Sequence, residues 1–504
     1  MKRKTIFRQF RELTHEKVNK EGFPAFERPI EEQVVSVLTT GSTANLFYVN
    51  AMENVADMVS VLQKCEDTEF LAKAAVYARE HGFMRTMPIA GAVAVSKREP
   101  SLFHRIVHRV CLTPRDFMQL IDIARSRLIR QGCGRSVKRA IIEAIANMSP
   151  YHAMKYPSAV RDMIRIARPH EKVNPAVIGY IMRGDHSGDE QFELLHRLKK
   201  AEDEEEIVRY ILEGKLPYEV VTGSVKKMTP EVWRALFHIA PYFNLIRNLN
   251  NFARNGVFDN PANLEKAVER IQNPEAVKKS KLFPFRFFVA YHMLQEFRGS
   301  HRIKHALEKA MELSLANIPE IPGKTAIASD VSGSMMSNLT GDYSVIQCID
   351  LVGIFTAAVA KKCEKLPVVL PFESDVRLDF AEKFYQSETM MEAASAFRAT
   401  GGTSLSAPVE YLLKEKIEVD RFIAFTDSEE WVGRGFLEAW EEYTSRVNPG
   451  AKAYLVTLLP YRDAPAPPFI RNVHFIYGWN DNVLRYITAK EPEAQVQEVR
   501  RISL

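Results

Sequence analysis

The chain has 504 residues, 46% hydrophobic and 26% charged, with a formal net charge of +5. That length exceeds one ordinary core and implies two or three domains. The apolar content excludes a disordered chain. No uncharged apolar run reaches about 18 residues, so no membrane-spanning helix and no membrane partner are expected. The basic start, MKRKTIFRQFRELTHEK, lacks the apolar stretch of about 7–15 residues that a secretory signal needs. Five scattered cysteines (Cys65, Cys111, Cys133, Cys348 and Cys363) form no CxxC pair. They argue against a disulfide framework or a cysteine-rich zinc module and fit a reducing, cytoplasmic setting.

The net charge divides unevenly. Lys324 to Leu504 holds about 19 Lys and Arg against 25 Asp and Glu, roughly −6. The remainder holds about 49 against 38, roughly +11. A basic part followed by an acidic part suggests two domains with different ligands, one of them polyanionic.

From about residue 30 to 317 the pattern is helix after helix. Thr113-Pro114-Arg115-Asp116 predicts a helix start, with Thr113 as N-cap, Pro114 in the first turn and Asp116 completing a capping box. Phe117, Ile121, Ala124 and Leu128 follow as a core-facing stripe. Past the Gly132-Cys133-Gly134 turn, the next helix should bury Val137, Ala140, Ile141, Ala144 and Ile145. The acidic run from Glu202 to Glu206 reads as a solvated helix start, favoured there by the helix dipole. Thr229-Pro230 opens another helix through Val232, Trp233 and Leu236. So many helices in series suggest an α-solenoid without a strict repeat.

The pattern changes at Ile321-Pro322-Gly323, which places a boundary between 1–320 and 321–504. Short apolar strands are predicted at 325–330, 366–372, 421–426 and 453–459, with a last one at 473–478. Helices are predicted at about 343–361, 405–417 and 481–487. Alternating strands and helices make a doubly wound α/β domain, whose ligands sit at the carboxyl ends of the strands.

The first strand ends in Asp330-Val331-Ser332-Gly333-Ser334. Thr403, after a Gly401-Gly402 loop, and Asp427, at the end of the third strand, fall where the fold would bring them alongside. Two carboxylates and three hydroxyls are hard oxygen ligands suited to Mg²⁺ or another divalent cation. Glu373, Asp375, Glu429 and Glu430 are acidic neighbours that read as solvated loop charges. The arrangement resembles the metal-ion-dependent adhesion site of von Willebrand factor A domains, DxSxS…T…D. That resemblance implies Asp330, Ser332, Ser334, Thr403 and Asp427 as ligands.

No catalytic motif is assembled. Gly323-Lys324-Thr325 lacks the earlier glycine of a P-loop and precedes a strand. The pairs His104/His108 and His301/His305 lack the HExxH glutamate, and no GxSxG elbow occurs. A non-enzyme is expected. Basic side chains, in contrast, cluster on the helices. Arg125, Arg127 and Arg130 precede Arg135, Lys138 and Arg139, which share a face at i, i+3 and i+4. Lys155, Arg161, Arg165, Arg168 and His170 form a second group, and Arg298, His301, Arg302, Lys304 and His305 a third. Helix-borne cations of this kind grip phosphates.

The order of features, with LTTGSTANLFY (38–48), GCGRSVKRAI (132–141), PYFNLIRNLNNF (241–252), FPFRFF (283–288) and DVSGSM (330–335), resembles the Ro family of TROVE-domain proteins. The resemblance implies a multidomain α plus α/β fold. A ring of HEAT-like helical repeats (1–320) would be closed by a Rossmann-like von Willebrand factor A domain (321–504). It implies a ribonucleoprotein component acting in RNA quality control or decay. Y RNA or a Y-like small RNA would bind the outer basic surface, and single-stranded ends of misfolded non-coding RNA a central hole. An exoribonuclease is the implied protein partner, and the chain is expected to be a monomer. Carried over by position, Arg135, Lys138, Arg139, Lys155, Arg161 and Arg165 are the candidates for the RNA surface; Val160 stands where the family's second helix has a histidine. The competing reading is a metal-dependent protein–protein interaction module on a helical platform.

Overall fold

The computed structural model describes residues 17–18, 24–27, 29–40, 51–338 except 83, 215, 283 and 319, and then 347–427, 435–458, 463–464, 472–477 and 495–504. The chain forms two compact units. One comprises Met1–Gly91 with Asn317–Leu504, the other Ala92–Ala316.

The Ala92–Ala316 unit is helical. Its helices repeatedly begin on proline, as in Pro100–Val110, Pro114–Arg125, Pro157–Ala167, Pro230–Ile239 and Pro261–Ile271. Proline fits the first turn because its missing N–H would have no partner there. Several of these starts carry a capping side chain: Thr229 accepts from the Val232 amide and Asn260 from the Ala262 amide. At Pro114–Arg125 the capping box forms as the residues predict, with Asp116 accepting from the Thr113 amide at 3.1 Å and Thr113 from the Asp116 amide at 3.3 Å. Phe117, Ile121 and Ala124 are buried. Leu128 is not: the helix ends at Arg125, Arg127 turns into the left-handed region at φ 66°, and Leu128 is 51% exposed.

Helices pack on near neighbours in sequence, the pattern of a stacked helical array. Gly134–Ala146 lies against both Pro100–Val110 and Pro157–Ala167, and Glu204–Glu213 lies against Pro230–Ile239. Val137, Ala140, Ile141 and Ile145 are buried on the first of these helices, and Ala144 only partly. Around Pro230–Ile239, Phe237 meets Phe252 and Phe258 edge to face, a geometry that favours aromatic pairs.

The other unit combines helices from the start of the chain with the α/β part. Strands β1 (Lys17–Val18), β2 (Pro24–Glu27) and β7 (Asp463–Ala464) make a small antiparallel sheet. The Gln495–Arg501 helix packs on Ile30–Thr40 and Thr68–Glu80. Gln495 donates to the Tyr77 hydroxyl, Arg500 pairs with Glu31, and its guanidinium lies over Phe70.

The main sheet has five parallel strands: β3 (Thr325–Asp330), β4 (Val368–Phe372), β5 (Arg421–Thr426), β6 (Lys452–Thr457) and β8 (Val473–Tyr477). Their order is β4-β3-β5-β6-β8. All lie within the predicted strands or within one residue of them; β4 starts two residues later and β6 ends two earlier, as the ladders with β3 and β5 dictate. Every β3 residue is buried, including the polar Thr325, Ser329 and Asp330, as expected of a central strand covered on both faces. The following helix is Cys348–Lys362, capped by Gln347 and buried along most of its length; the predicted residues 343–346 lie outside the described residues. Its Gly353 makes this close approach feasible: a Cβ there would stand 1.9 Å from the Ala394 carbonyl oxygen. The predicted 405–417 helix is Ser406–Lys414; the one at 481–487 lies outside the described residues. β3 leads to β4 on one side and is flanked by β5 on the other, so its carboxyl end is the topological switch point of the sheet.

Candidate metal centre and nucleic-acid interface

Asp330 is the last residue of β3 and therefore sits at that switch point. Ser332 and Ser334 follow in a tight turn, Thr403 comes from the loop before Ser406–Lys414, and Asp427 follows β5. The five predicted ligands are each at most 1% exposed. Asp330 accepts from the Ser332 amide at 2.9 Å and from the Thr426 hydroxyl at 2.6 Å, and the Ser332 and Ser334 hydroxyl oxygens are 3.0 Å apart.

Backbone hydrogen bonds register the loops. The Val331 amide donates to Phe372, Gly333 to Gly401, Thr400 to Val331 and Ser404 to Glu373. Gly401 has φ 61°, a conformation that favours glycine, and a Cβ on it would meet the Glu373 carboxylate, which would have to move aside. Glu373 is not a solvated loop charge: it is only partly exposed and accepts from Arg377, which also reaches Thr400 and Asp379. Asp375 is exposed and accepts from the Val376 amide. Glu429 and Glu430 lie outside the described residues.

Asp330 and Asp427 are both fully buried, and the charge of each disfavours ionisation of the other. Burial, reinforced by the Asp427 charge, pushes the Asp330 carboxyl up to about 7, against the pull of the hydrogen bonds from Ser332 and Thr426. Burial and the same carboxylates push the Cys348 thiol up as well. Among the described residues no group of three or more His, Cys, Asp or Glu could hold a metal ion. This centre has a different donor set, two carboxylates and three hydroxyls, and a hard divalent cation is the species that would offset its buried negative charge.

The basic candidates separate into exposed and engaged groups. Arg135, Lys138 and Arg139 are exposed on Gly134–Ala146, opposite its buried stripe. Arg139 Nε donates to Glu143 at 3.0 Å. Arg161 and Arg165 are exposed on the adjacent Pro157–Ala167 helix, with Arg165 3.9 Å from Asp162. Lys155 is engaged: its ammonium donates to the Tyr151 hydroxyl, lies 3.3 Å from Glu219 and sits over the Tyr151 and Tyr156 rings. Burial opposes its charge, but the Tyr151 hydroxyl and Glu219 hold its pKa above the ordinary lysine value. Arg130 is engaged too, donating to Ser96 Oγ at 2.7 Å. Arg302 pairs with Glu265 and Lys304 with Glu296, which neutralises much of the third basic group. Arg125 and Arg127, in contrast, line an open cavity of about 430 Å³ with Gln131 and Gly132. Their clustering is visible in the sequence, but the cavity depends on the left-handed turn at Arg127.

A family model described as the TROVE domain matches residues 222–312, and one described as the Ro60 vWA domain matches 324–489. The chain belongs to the Ro family of TROVE-domain proteins. The adhesion-site loops fall inside the second match, whereas Arg135 to Arg165 precede the first. Among Ro-family relatives, the chain is 25% identical over 393 residues to a Deinococcus radiodurans protein named "RNA-binding protein RO60", covering 72% of this chain and 71% of that one. It is 25% identical over 257 residues to a Caenorhabditis elegans protein of the same name, covering 47% of this chain and 38% of the relative. In fold it is similar to the crystal structure of the Deinococcus radiodurans RO (RSR) protein, with a TM-score of 0.65 and 19% identity over 91% of this chain and 99% of that one.

Proposed function

We propose that this protein is a non-catalytic, RNA-binding component of a cytoplasmic ribonucleoprotein. The carrying observation is the exposed Arg135/Lys138/Arg139 face, beside Arg161 and Arg165, in a family whose relatives are named as RNA-binding. A small structured, Y-like RNA is the ligand proposed for this face, held through its phosphates. Single-stranded ends of misfolded non-coding RNA are the second ligand class, entering the hole that the family resemblance implies, in RNA quality control or decay with an exoribonuclease. Lys155 contributes by packing more than by touching RNA directly. The protein would act as a monomer. Replacing Lys138 and Arg139 together with alanine should weaken binding of a small structured RNA and flatten its salt dependence, by up to about 0.7–0.9 in slope for each phosphate no longer neutralised. Unchanged affinity and slope would remove this face from the proposal.

A second ligand is proposed for the α/β part. Asp330, Ser332, Ser334, Thr403 and Asp427 would hold Mg²⁺ or another divalent cation. The bound ion would offer a Lewis-acidic position to an acidic side chain of a partner protein. The burial of all five donors at one switch point favours this reading.

A further inference from the structure

The acidic run that begins at Glu202 is only partly explained as a helix start. Glu204, Glu205 and Glu206 occupy the first turn of Glu204–Glu213, where the dipole favours anions. Glu213 sits in the last turn, where it disfavours them, and no basic residue accompanies it there. Residues 202–213 hold six Asp and Glu against one Arg, within a unit (92–316) of 37 Lys and Arg against 25 Asp and Glu. A unit of net charge +12 thus carries a local patch of −5.

The patch borders an open groove of about 510 Å³ between Glu204–Glu213 and Pro230–Ile239. Val208, Leu212 and Ala235 form its apolar floor, with Leu212 49% exposed. Glu204, Glu205, Glu213 and Glu231 stand around it. The two arginines that line it are held by carboxylates of their own helices: Arg234 meets Glu231 at 2.8 Å, and Arg209 lies 3.8 Å from Glu206. Burial, with Lys266 and Arg270 nearby, lowers the His238 pKa and keeps that ring neutral near pH 7. An RNA phosphate would meet uncompensated negative charge here, while an apolar side chain flanked by cations would meet complementary groups on both counts.

We propose that this groove docks a basic amphipathic segment of another protein, seating an apolar side chain against Leu212 with lysines or arginines over the glutamates. It is a protein-binding face separate from the RNA face. The probe is a labelled synthetic helical peptide with leucines at i and i+4 flanked by lysines, titrated against the full chain by fluorescence anisotropy. Its twin carries glutamates for the lysines, and an oligouridine serves as the RNA control. The lysine peptide should bind, more weakly at high salt. Its affinity should fall about tenfold or more in Leu212→Asp and in the Glu205→Lys/Glu213→Lys double variant. Because all three side chains are exposed, these variants should keep the fold and wild-type affinity for structured RNA. Equal binding of the two peptides, indifference to both variants, or occupation of the peptide site by oligouridine overturns the proposal. Concentration-dependent dimerisation that Leu212→Asp abolishes would instead assign the groove to a second copy, and overturns it too.

Discussion

Asp330→Asn removes one of two buried carboxylates while leaving the local hydrogen bonds feasible. The amide oxygen can accept from the Ser332 amide, and the Thr426 hydroxyl can accept from the new NH₂ group. In wild type without metal, the Asp330 carboxyl is raised from 3.8 to about 7. A carboxyl raised on folding contributes stability that is fully present below its unfolded value and is lost as pH rises through its folded value. Above pH 7 the ionised group therefore costs on the order of 4 kcal/mol, at about 1.4 kcal/mol per unit. Asparagine does not titrate and avoids this cost. In chelator at pH 8 the variant should be more stable than wild type, and the difference should shrink as pH falls toward 4. Mg²⁺ should reverse the order: at about 100 times its Kd it adds about 2.7 kcal/mol to wild type and much less to the variant. For a domain of this size that is a rise of roughly 5–10 °C in the transition of the α/β part. Scanning calorimetry of the full chain in chelator and in Mg²⁺, at pH 5 and pH 8, reads both effects. A variant that is less stable than wild type in chelator at pH 8, together with an equal Mg²⁺ response in both proteins, would refute the mutual repulsion and the ligand assignment together.

Gly401→Ala should displace the loop that carries Thr403, because its Cβ would overlap Glu373 and its φ is positive. The expected cost is about 1–3 kcal/mol in denaturant unfolding, with Mg²⁺ affinity weakened disproportionately; an alanine variant with wild-type affinity would show that the loop does not shape the centre. Asp116→Ala leaves the Leu112 and Thr113 amides without their carboxylate partner and should destabilise the helical unit by about 1–3 kcal/mol, read in urea. Lys155→Met keeps the aliphatic stem but cannot pair with Glu219 or donate to Tyr151, so it should lower stability more than it lowers RNA affinity; filter binding and urea melts on the same protein separate the two.

Short-range physics is legible in the sequence. The Thr113–Asp116 capping box, the Val137/Ala140/Ile141 stripe and the five strands depend on neighbours within a turn or a pleat, so residue order alone determines them. The DVSGS turn is equally local, and Asp427 follows its strand as the chain order implies, whereas Thr403 lies in a loop between two helices. Tertiary structure decided the rest. Leu128 continues the apolar period of its helix but is exposed, because the left-handed turn at Arg127 breaks the helix first. Lys155 and Arg130 belong to basic clusters by composition, yet Tyr151, Glu219 and Ser96, which engage them, are up to 64 residues away in the chain. Met1–Gly91 groups with Asn317–Leu504, a division that no single boundary along the chain can express. The elevated Asp330 pKa and the groove beside Leu212 arise only where β3 meets β5, and where one helix meets another some twenty residues on. The order of the motifs thus points to the family, and the division of charge to a basic part and an acidic part. Burial and pairing, which depend on neighbours distant in sequence, decide which of its charges remain available to bind.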